Sequence, residues 1–160
     1  MAVVLTPVLT ELPADFASLR ADAREESHTN MERLATDWTT GANRFAATGE
    51  ALLAAFVDGN LAGVGGLSID PVCAGALRLR RFYVRPRYRR HRVGRSLAVA
   101  LMERARGLTD RLVLNAETEL AVLFWEALGF VAERRDGHTH VWPQDRPVSA
   151  TINVDNLPRL

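Results

Sequence analysis

The sequence contains no lysine: all 20 of its basic residues are arginine. That absence excludes a P-loop lysine, a Schiff-base lysine and a lysine general base. A single cysteine, Cys73, excludes an internal disulfide and any thiolate cluster for zinc or iron–sulfur, and it fits a reducing compartment. Long hydrophobic runs are also missing, since no segment approaches the roughly 20 consecutive apolar residues of a membrane helix. The start, Met1-Ala2-Val3-Val4-Leu5-Thr6-Pro7, lacks the basic residues and small-residue cleavage site of a secretion signal. The expected location is therefore the cytoplasm, with no membrane partner. What remains, 160 residues at 48% hydrophobic and 24% charged, has the composition of one globular domain with enough apolar side chains for a core. We place that domain at residues 1–145 and a C-terminal tail at 146–160.

The net charge of +1 conceals a segregation. Residues 1–77 carry 4 Arg and 10 acids, residues 78–111 carry 12 Arg and 2 acids, and residues 112–160 carry 4 Arg and 7 acids, giving −6, +10 and −3. Nine arginines lie between Arg78 and Arg95 with no acid among them. A solvated basic face and an anion-binding site explain such a run about equally well on charge alone.

Periodicity predicts the elements. Val3 to Val8 suggest a first strand. Leu12, Phe16, Leu19 and Ala23 form a helical face with Pro13 in its first turn and Thr10 as its cap, and a second helix runs from about Met31 to Trp38, capped by Thr29 or Asn30. Ala51–Val57 and Leu61–Leu67 flank Asp58-Gly59-Asn60 as a hairpin. Ala76 to Val84 is another strand, but its apolar positions change parity from Leu77 and Leu79 to Phe82 and Val84. A two-residue period shifts phase only through an extra residue, so a β-bulge is expected near Arg80-Arg81. Val93, Leu97, Ala100, Leu101 and Ala105 mark a helix closed by a C-terminal glycine, Gly107. Arg111–Leu114 is a short strand, Thr118 opens a helix closed by Gly129, and two strands around Asp136-Gly137 form a terminal hairpin. The order β-α-α-β-β-β-α-β-α-β-β is α/β with a mixed, mostly antiparallel central sheet, a bulged strand and flanking helices. Thr151-Ile152-Asn153-Val154 in the tail could add an edge strand or pair with the sheet edge of a second copy in a homodimer.

The chemistry-bearing stretch runs from Phe82 to Leu97: a strand, a basic turn, then a helix. Such a junction aims free backbone N–H groups and the positive end of the helix dipole at one point, and guanidiniums add bidentate donors for phosphate. Val84-Arg85-Pro86 followed by Arg89-Arg90-His91-Arg92-Val93-Gly94 resembles the signature of the GNAT superfamily of N-acetyltransferases, a strand ending in Val-x-Pro and then [Gln/Arg]-x-x-Gly-x-[Gly/Ala] opening a helix. Trp125-Glu126-Ala127-Leu128-Gly129-Phe130 resembles the family's second motif, Tyr-Glu-x-Leu-Gly-Phe, and the element order from Val3 to Trp142 is similar to the family's.

The resemblance implies a single-domain GNAT-like fold and acetyl transfer from acetyl-CoA to a primary amine of a small molecule or peptide, by direct attack in a ternary complex and without a metal. It places the CoA diphosphate on Arg89, Arg90, His91, Arg92, Val93, Gly94 and Arg95. The pantetheine arm would lie along Phe82, Tyr83 and Val84, near Asn115 and the helix carrying Phe124 and Trp125, with a backbone N–H near Val84 as the oxyanion donor.

The match departs from the family at three positions. Arg92 stands at the first glycine. Trp125 stands where many members have a tyrosine that protonates the leaving thiolate, and indole is no general acid. Arg78 stands where histone-modifying members carry a catalytic glutamate, which leaves Glu25, Glu26 and His28 as candidates for the base, against the simpler reading of exposed helix-end charges. Arg78 or Arg80, facing the acceptor, would suit a carboxylate or phosphate beside the amine; an ion pair within the domain is the commoner fate of such a residue. The departures also keep open a non-catalytic CoA-binding regulatory module.

Other signals have plain structural explanations. Gly94-Arg95-Ser96-Leu97-Ala98 lacks the last glycine of a nucleophile elbow, so Ser96 belongs to the cap or first turn of the helix. Gly63-Val64-Gly65-Gly66 is not a dinucleotide fingerprint. His138 and His140 alternate as metal ligands do, but an edge-strand pair accounts for them. Trp38, Asn43, Arg44 and Phe45 suit either an acceptor pocket or a packed loop. No nucleic-acid partner is expected, because only Tyr83 and Tyr88 interleave the arginines and the flanking blocks are acidic.

Overall fold

The computed structural model describes residues 2–143, so the tail and its proposed edge strand lie outside the described residues. Eleven regular elements follow the expected order. They are β1 (Val3–Pro7), α1 (Phe16–Glu25), α2 (Asn30–Thr40), β2 (Ala51–Val57), β3 (Asn60–Ile69), β4 (Leu77–Val84), α3 (Val93–Arg106), β5 (Leu112–Leu114), α4 (Glu119–Ala127), β6 (Val131–Arg135) and β7 (His138–Val141), with a single 3-10 turn at Pro86–Tyr88 before α3. The strands form one seven-stranded sheet in the order β1-β2-β3-β4-β5-β7-β6. Among the described residues only the β4–β5 pair is parallel.

Both hairpins turn as their sequences require. Asp58 and Gly59 have φ of 49° and 80°, and Asp136 and Gly137 have 50° and 79°. Two successive positive φ values make the primed turn that matches strand twist.

The helices cover the two faces of the sheet. Phe16, Leu19 and Ala23 of α1 and Met31, Leu34 and Trp38 of α2 are buried against Leu52, Leu61, Val64 and Tyr83. On the other face, Ala98, Leu101 and Met102 of α3 and Phe124 and Trp125 of α4 pack on Leu77, Leu79, Leu112, Leu114 and Phe130. Leu97 and Val93 of α3 close a third cluster with Ala55, Val57 and Val84.

Several local expectations are corrected. Thr10 does not cap α1; that helix begins after Asp15, which makes no side-chain cap bond, and Pro13 lies in a preceding turn whose carbonyl accepts from the Phe16 N–H. Thr29 is the N-cap of α2, but its side chain makes no cap hydrogen bond. Gly107 ends α3 at φ −82°, an ordinary helical value, so its freedom of conformation is not used. Thr118 does cap α4, its hydroxyl accepting from the Ala121 N–H. β7 lies between β5 and β6, so His138 and His140 are on an inner strand, not an edge. Both are buried and held by acids, His138 by Glu133 (2.9 Å) and His140 by Glu126 (3.0 Å). Among the described residues no group of His, Cys, Asp and Glu could hold a metal ion, and no helix is long and apolar enough to cross a membrane.

Candidate active site

The site begins with the bulge. β3 and β4 pair at Gly66↔Arg80 and again at Val64↔Tyr83, so Gly65 stands opposite two residues, Arg81 and Phe82. Arg81 takes up the extra residue at φ 60°. Up to the bulge, Leu77 and Leu79 face α3 and α4; after it, Phe82 and Val84 do so, while Tyr83 joins the α1–α2 cluster. The bulge therefore leaves Arg80 and Arg81 together on the α1–α2 side. Glycines make room for it. A Cβ at Gly65 would fall 2.8 Å from the Phe82 ring, and one at Gly66 would fall 2.5 Å from the Phe45 ring and 3.1 Å from the Arg80 carbonyl oxygen.

The same strand opens the sheet. β4 pairs with β5 only at Leu77↔Leu112, Arg78↔Val113 and Leu79↔Leu114. From Arg80 to Val84 its edge on that side has no strand partner, and such an edge can hydrogen-bond an extended, amide-bearing chain. The split forms a cavity of about 420 Å³ between β4, β5, the α1–α2 connection and the start of α4. His28, Arg78, Arg80, Phe82, Tyr83, Val84, Arg89, Asn115 and Trp125 all line it. Phe124 does not: it is 2% exposed and packed in the core, whereas Trp125, one residue on, lies edge-on to Phe82 at 4.9 Å.

Past the open edge lies the basic loop that leads into α3. Arg92, at the position of the first glycine in the resembled signature, has φ 60° and ψ 22°, a left-handed conformation that favours glycine, and it caps α3 with no side-chain bond. The first N–H groups of a helix have no intrahelical acceptor. Those of Val93, Gly94 and Arg95 therefore converge with the dipole, and Arg90 and Arg92 stand exposed beside them. Arg95 buries its Nε without a hydrogen bond.

Arg89 is differently engaged from the sequence expectation. Its guanidinium grips Glu26 with two bonds, Nη1 to Oε2 at 2.8 Å and Nη2 to Oε1 at 2.5 Å, and its Nε donates to the Val84 carbonyl. The Tyr83 hydroxyl donates to the same carboxylate at 2.5 Å. This clamp ties the end of α1 to the strand and loop of the site. Arg89, and secondarily Tyr83, hold the Glu26 carboxyl below its usual range. Burial, reinforced by the Glu26 carboxylate, pushes the Tyr83 phenol up, so it stays protonated. Glu26 is therefore a clamp and a poor proton acceptor. Glu25 does not line the cavity; His28 does, with its ring edge-on to Tyr83 at 5.8 Å.

The arginines of β4 also sort themselves. Arg78 donates to Asp70 (2.6 Å) and to the Gly137 carbonyl, Arg81 to Asp37 (3.1 Å), and Arg85 to Asp22 (2.6 Å) and Ser18 (2.7 Å). Arg80 has no such partner among the described residues. Trp38 lies on α2 and Asn43, Arg44 and Phe45 in the loop that follows it, all outside the cavity: the Arg44 Nε donates to the Trp38 carbonyl and the Phe45 N–H to the Asn43 side-chain oxygen. Sequence reasoning missed Arg33 and Glu117, which line the cavity from α2 and from the turn after β5. Only the tertiary path of the chain brings these two to the site, so no local pattern marks them.

The comparisons agree with this geometry. The model of the acetyltransferase (GNAT) family matches residues 13–130. A putative acetyltransferase from Exiguobacterium sp. 255-15 superposes with a TM-score of 0.80 at 28% identity, over 90% of this chain and 95% of that one. The PaiA N-acetyltransferase of Thermoplasma acidophilum, solved in complex with coenzyme A, superposes at 0.59 with 21% identity over 88% and 97%. A GNAT-family acetyltransferase from Staphylococcus aureus Mu50 does so at 0.63 with 14% identity over 88% and 98%. No curated protein matches the sequence. With the family model covering the bulged strand, the loop at Arg92 and the Trp125–Phe130 motif, the chain belongs to the GNAT family of acetyltransferases.

Proposed function

We propose that this protein is an acetyl-CoA-dependent N-acetyltransferase acting on a primary amine of a small molecule or peptide, with both substrates held at once. The observation that carries the reading is the continuity of the open β4 edge at Arg80–Val84 with the loop and helix start at Arg92–Arg95. That combination fits an extended amide arm ending in a diphosphate, and the orphaned Arg95 Nε adds a donor at the anion end. When bound, acetyl-CoA supplies a thioester whose acetyl group passes to the amine.

The chain's own residues supply the rest. Phe82 and Trp125 form an apolar wall that excludes water from the cleft. Backbone N–H groups of the bulged strand near Val84 are the donors available to a developing oxyanion, a preorganised stabilisation of the kind that contributes most in acyl transfer. An alkylammonium with a pKa near 10.4 must lose a proton before it attacks. His28 takes that proton: it is the one candidate base from the sequence that both lines the cleft and is not locked in an ion pair. Trp125 gives no proton to the leaving thiolate, so water does.

Calorimetric titration with acetyl-CoA and with CoA, followed by turnover on an amine panel, tests this reading. Binding of both, loss of roughly 100-fold in kcat in His28→Ala, and unchanged acetyl-CoA affinity in that variant are the expected results. CoA binding without turnover on any amine would instead favour a regulatory CoA-binding module, and no binding would refute both.

A further inference from the structure

β4 carries three arginines to the acceptor side of the cleft, and the acids of the domain pair with two of them. β4 places Arg78, Arg80 and Arg81 on the α1–α2 side within four residues. Arg78 is answered by Asp70, whose side chain is wholly buried, and Arg81 by Asp37. Arg80, between them, lines the cavity at the point where β4 parts from β5. Its Nε is buried and bonds nothing, and no carboxylate or carbonyl reaches its guanidinium among the described residues. Burial first, then the charges of Arg81 and Arg78, disfavour its cationic form relative to a free arginine, and the carboxylates of Asp37 and Asp70 offset this only in part. A buried donor without an acceptor is costly. Arg33 of α2 also lines this cavity, and it has no ion-pair partner among the described residues.

We propose that Arg80 is the specificity determinant for the acceptor, which is a small amine carrying a compact oxyanion, a carboxylate or a phosphate, that the Arg80 guanidinium binds. This rests on the acetyl-transfer reading above and names its acceptor class. The anion completes the bonding that the fold withholds from Arg80, and a planar guanidinium matches either oxyanion. Arg78, the other sequence candidate, is less suited to this role because its charge is already paired with the buried Asp70 carboxylate and its Nη2 donates to the Gly137 carbonyl.

The test measures binding separately from turnover. The CoA-saturated protein is titrated with the common amino acids and with their carboxamides, and with phosphoethanolamine against ethanolamine, for the parent chain and for Arg80→Gln and Arg80→Lys. At least one anionic amine is expected to bind about 10- to 100-fold more tightly than its neutral partner, the range of a charge-assisted hydrogen bond to a bound anion. The carboxylate and phosphate arms identify the source of the oxyanion. At saturating CoA, Arg80→Gln is expected to remove that preference, and Arg80→Lys, which keeps the charge, to recover part of it. Equal binding of the anionic and neutral partners, an unchanged preference in Arg80→Gln, or no binding by any anionic amine overturns the proposal. Turnover on the same panel is scored independently: anion-selective binding without acetyl transfer supports the Arg80 site and refutes the enzymatic reading, and transfer to neutral amines alone does the reverse.

Discussion

The left-handed residue before α3 can be relaxed by one substitution, Arg92→Gly. An L-residue in this conformation costs about 1–2 kcal/mol through the clash of its Cβ with the carbonyl oxygen. Glycine avoids that cost but loses more chain freedom on folding, which returns about 0.4–1 kcal/mol to the unfolded state. The Arg92 side chain is exposed and makes no hydrogen bond that the change would remove, and its carbonyl still accepts from Ser96. The net expectation is a gain of about 0.5–1 kcal/mol, or about 1–4 °C in Tm at roughly 2–4 °C per kcal/mol for a chain of this size. The lost charge acts in the opposite sense on the ligand: an exposed ionic contact contributes about 0.2–1 kcal/mol, so acetyl-CoA affinity falls by no more than about fivefold. Thermal melts of the free protein with Arg92→Ala as control separate the two effects, because alanine removes the charge and keeps the strain. Equal Tm values for the glycine and alanine variants would refute the strain argument, and a loss of affinity far beyond fivefold would show that Arg92 grips the ligand directly.

Two further perturbations test the frame of the site. Gly66→Ala places a Cβ 2.5 Å from the Phe45 ring and 3.1 Å from the Arg80 carbonyl, so it is expected to cost about 1–3 kcal/mol in urea denaturation; a change below about 0.5 kcal/mol would mean that the bulge tolerates displacement. Hydrogen bonds from Arg111 first, and then from His138, hold the Glu133 carboxyl at about 2, down from 4.5. A depressed folded-state value stabilises the fold above the unfolded value and is lost as pH falls, so this contribution fades from about pH 4.5 towards pH 2. Denaturation at pH 5 and pH 3 should therefore show Glu133→Gln losing less stability than the parent over that interval, and parallel losses would disprove the assignment.

What the sequence made legible was local or periodic. The parity change from Leu79 to Phe82 located the bulge because a strand has only two faces, and the pairs Asp58-Gly59 and Asp136-Gly137 marked both hairpins because few residues accept positive φ twice in succession. Caps were harder to locate: Thr10 has the right chemistry, but the chain turns at Pro13 and α1 starts only at Phe16. Phe124 and Trp125 sit about 100° apart on α4, so a motif match could not say which faces the cleft. His138 and His140 read as edge residues because nothing local reveals that β7 inserts between β5 and β6. The reassignment of Glu26 from base to clamp likewise depends on Arg89, which is 63 residues away in the chain.

The charge segregation of the sequence finds its explanation in those long-range pairs. Four of the nine arginines between Arg78 and Arg95 are neutralised, and every acid that does so comes from the acidic first block: Asp70 for Arg78, Asp37 for Arg81, Asp22 for Arg85 and Glu26 for Arg89. Three of these acids lie on α1 or α2 or just beyond α1, so the pairs fasten that helical layer to β4 and to the turn that follows it. A basic run that was merely a solvated face would not need partners placed this way. What the pairing leaves over is Arg80 at the vertex of the cleft, and Arg87, Arg90, Arg92 and Arg95 around the turn into α3. These are the two places where the proposed chemistry brings an anion, so the excess positive charge is best understood as what remains after the fold has satisfied itself and before its ligands bind.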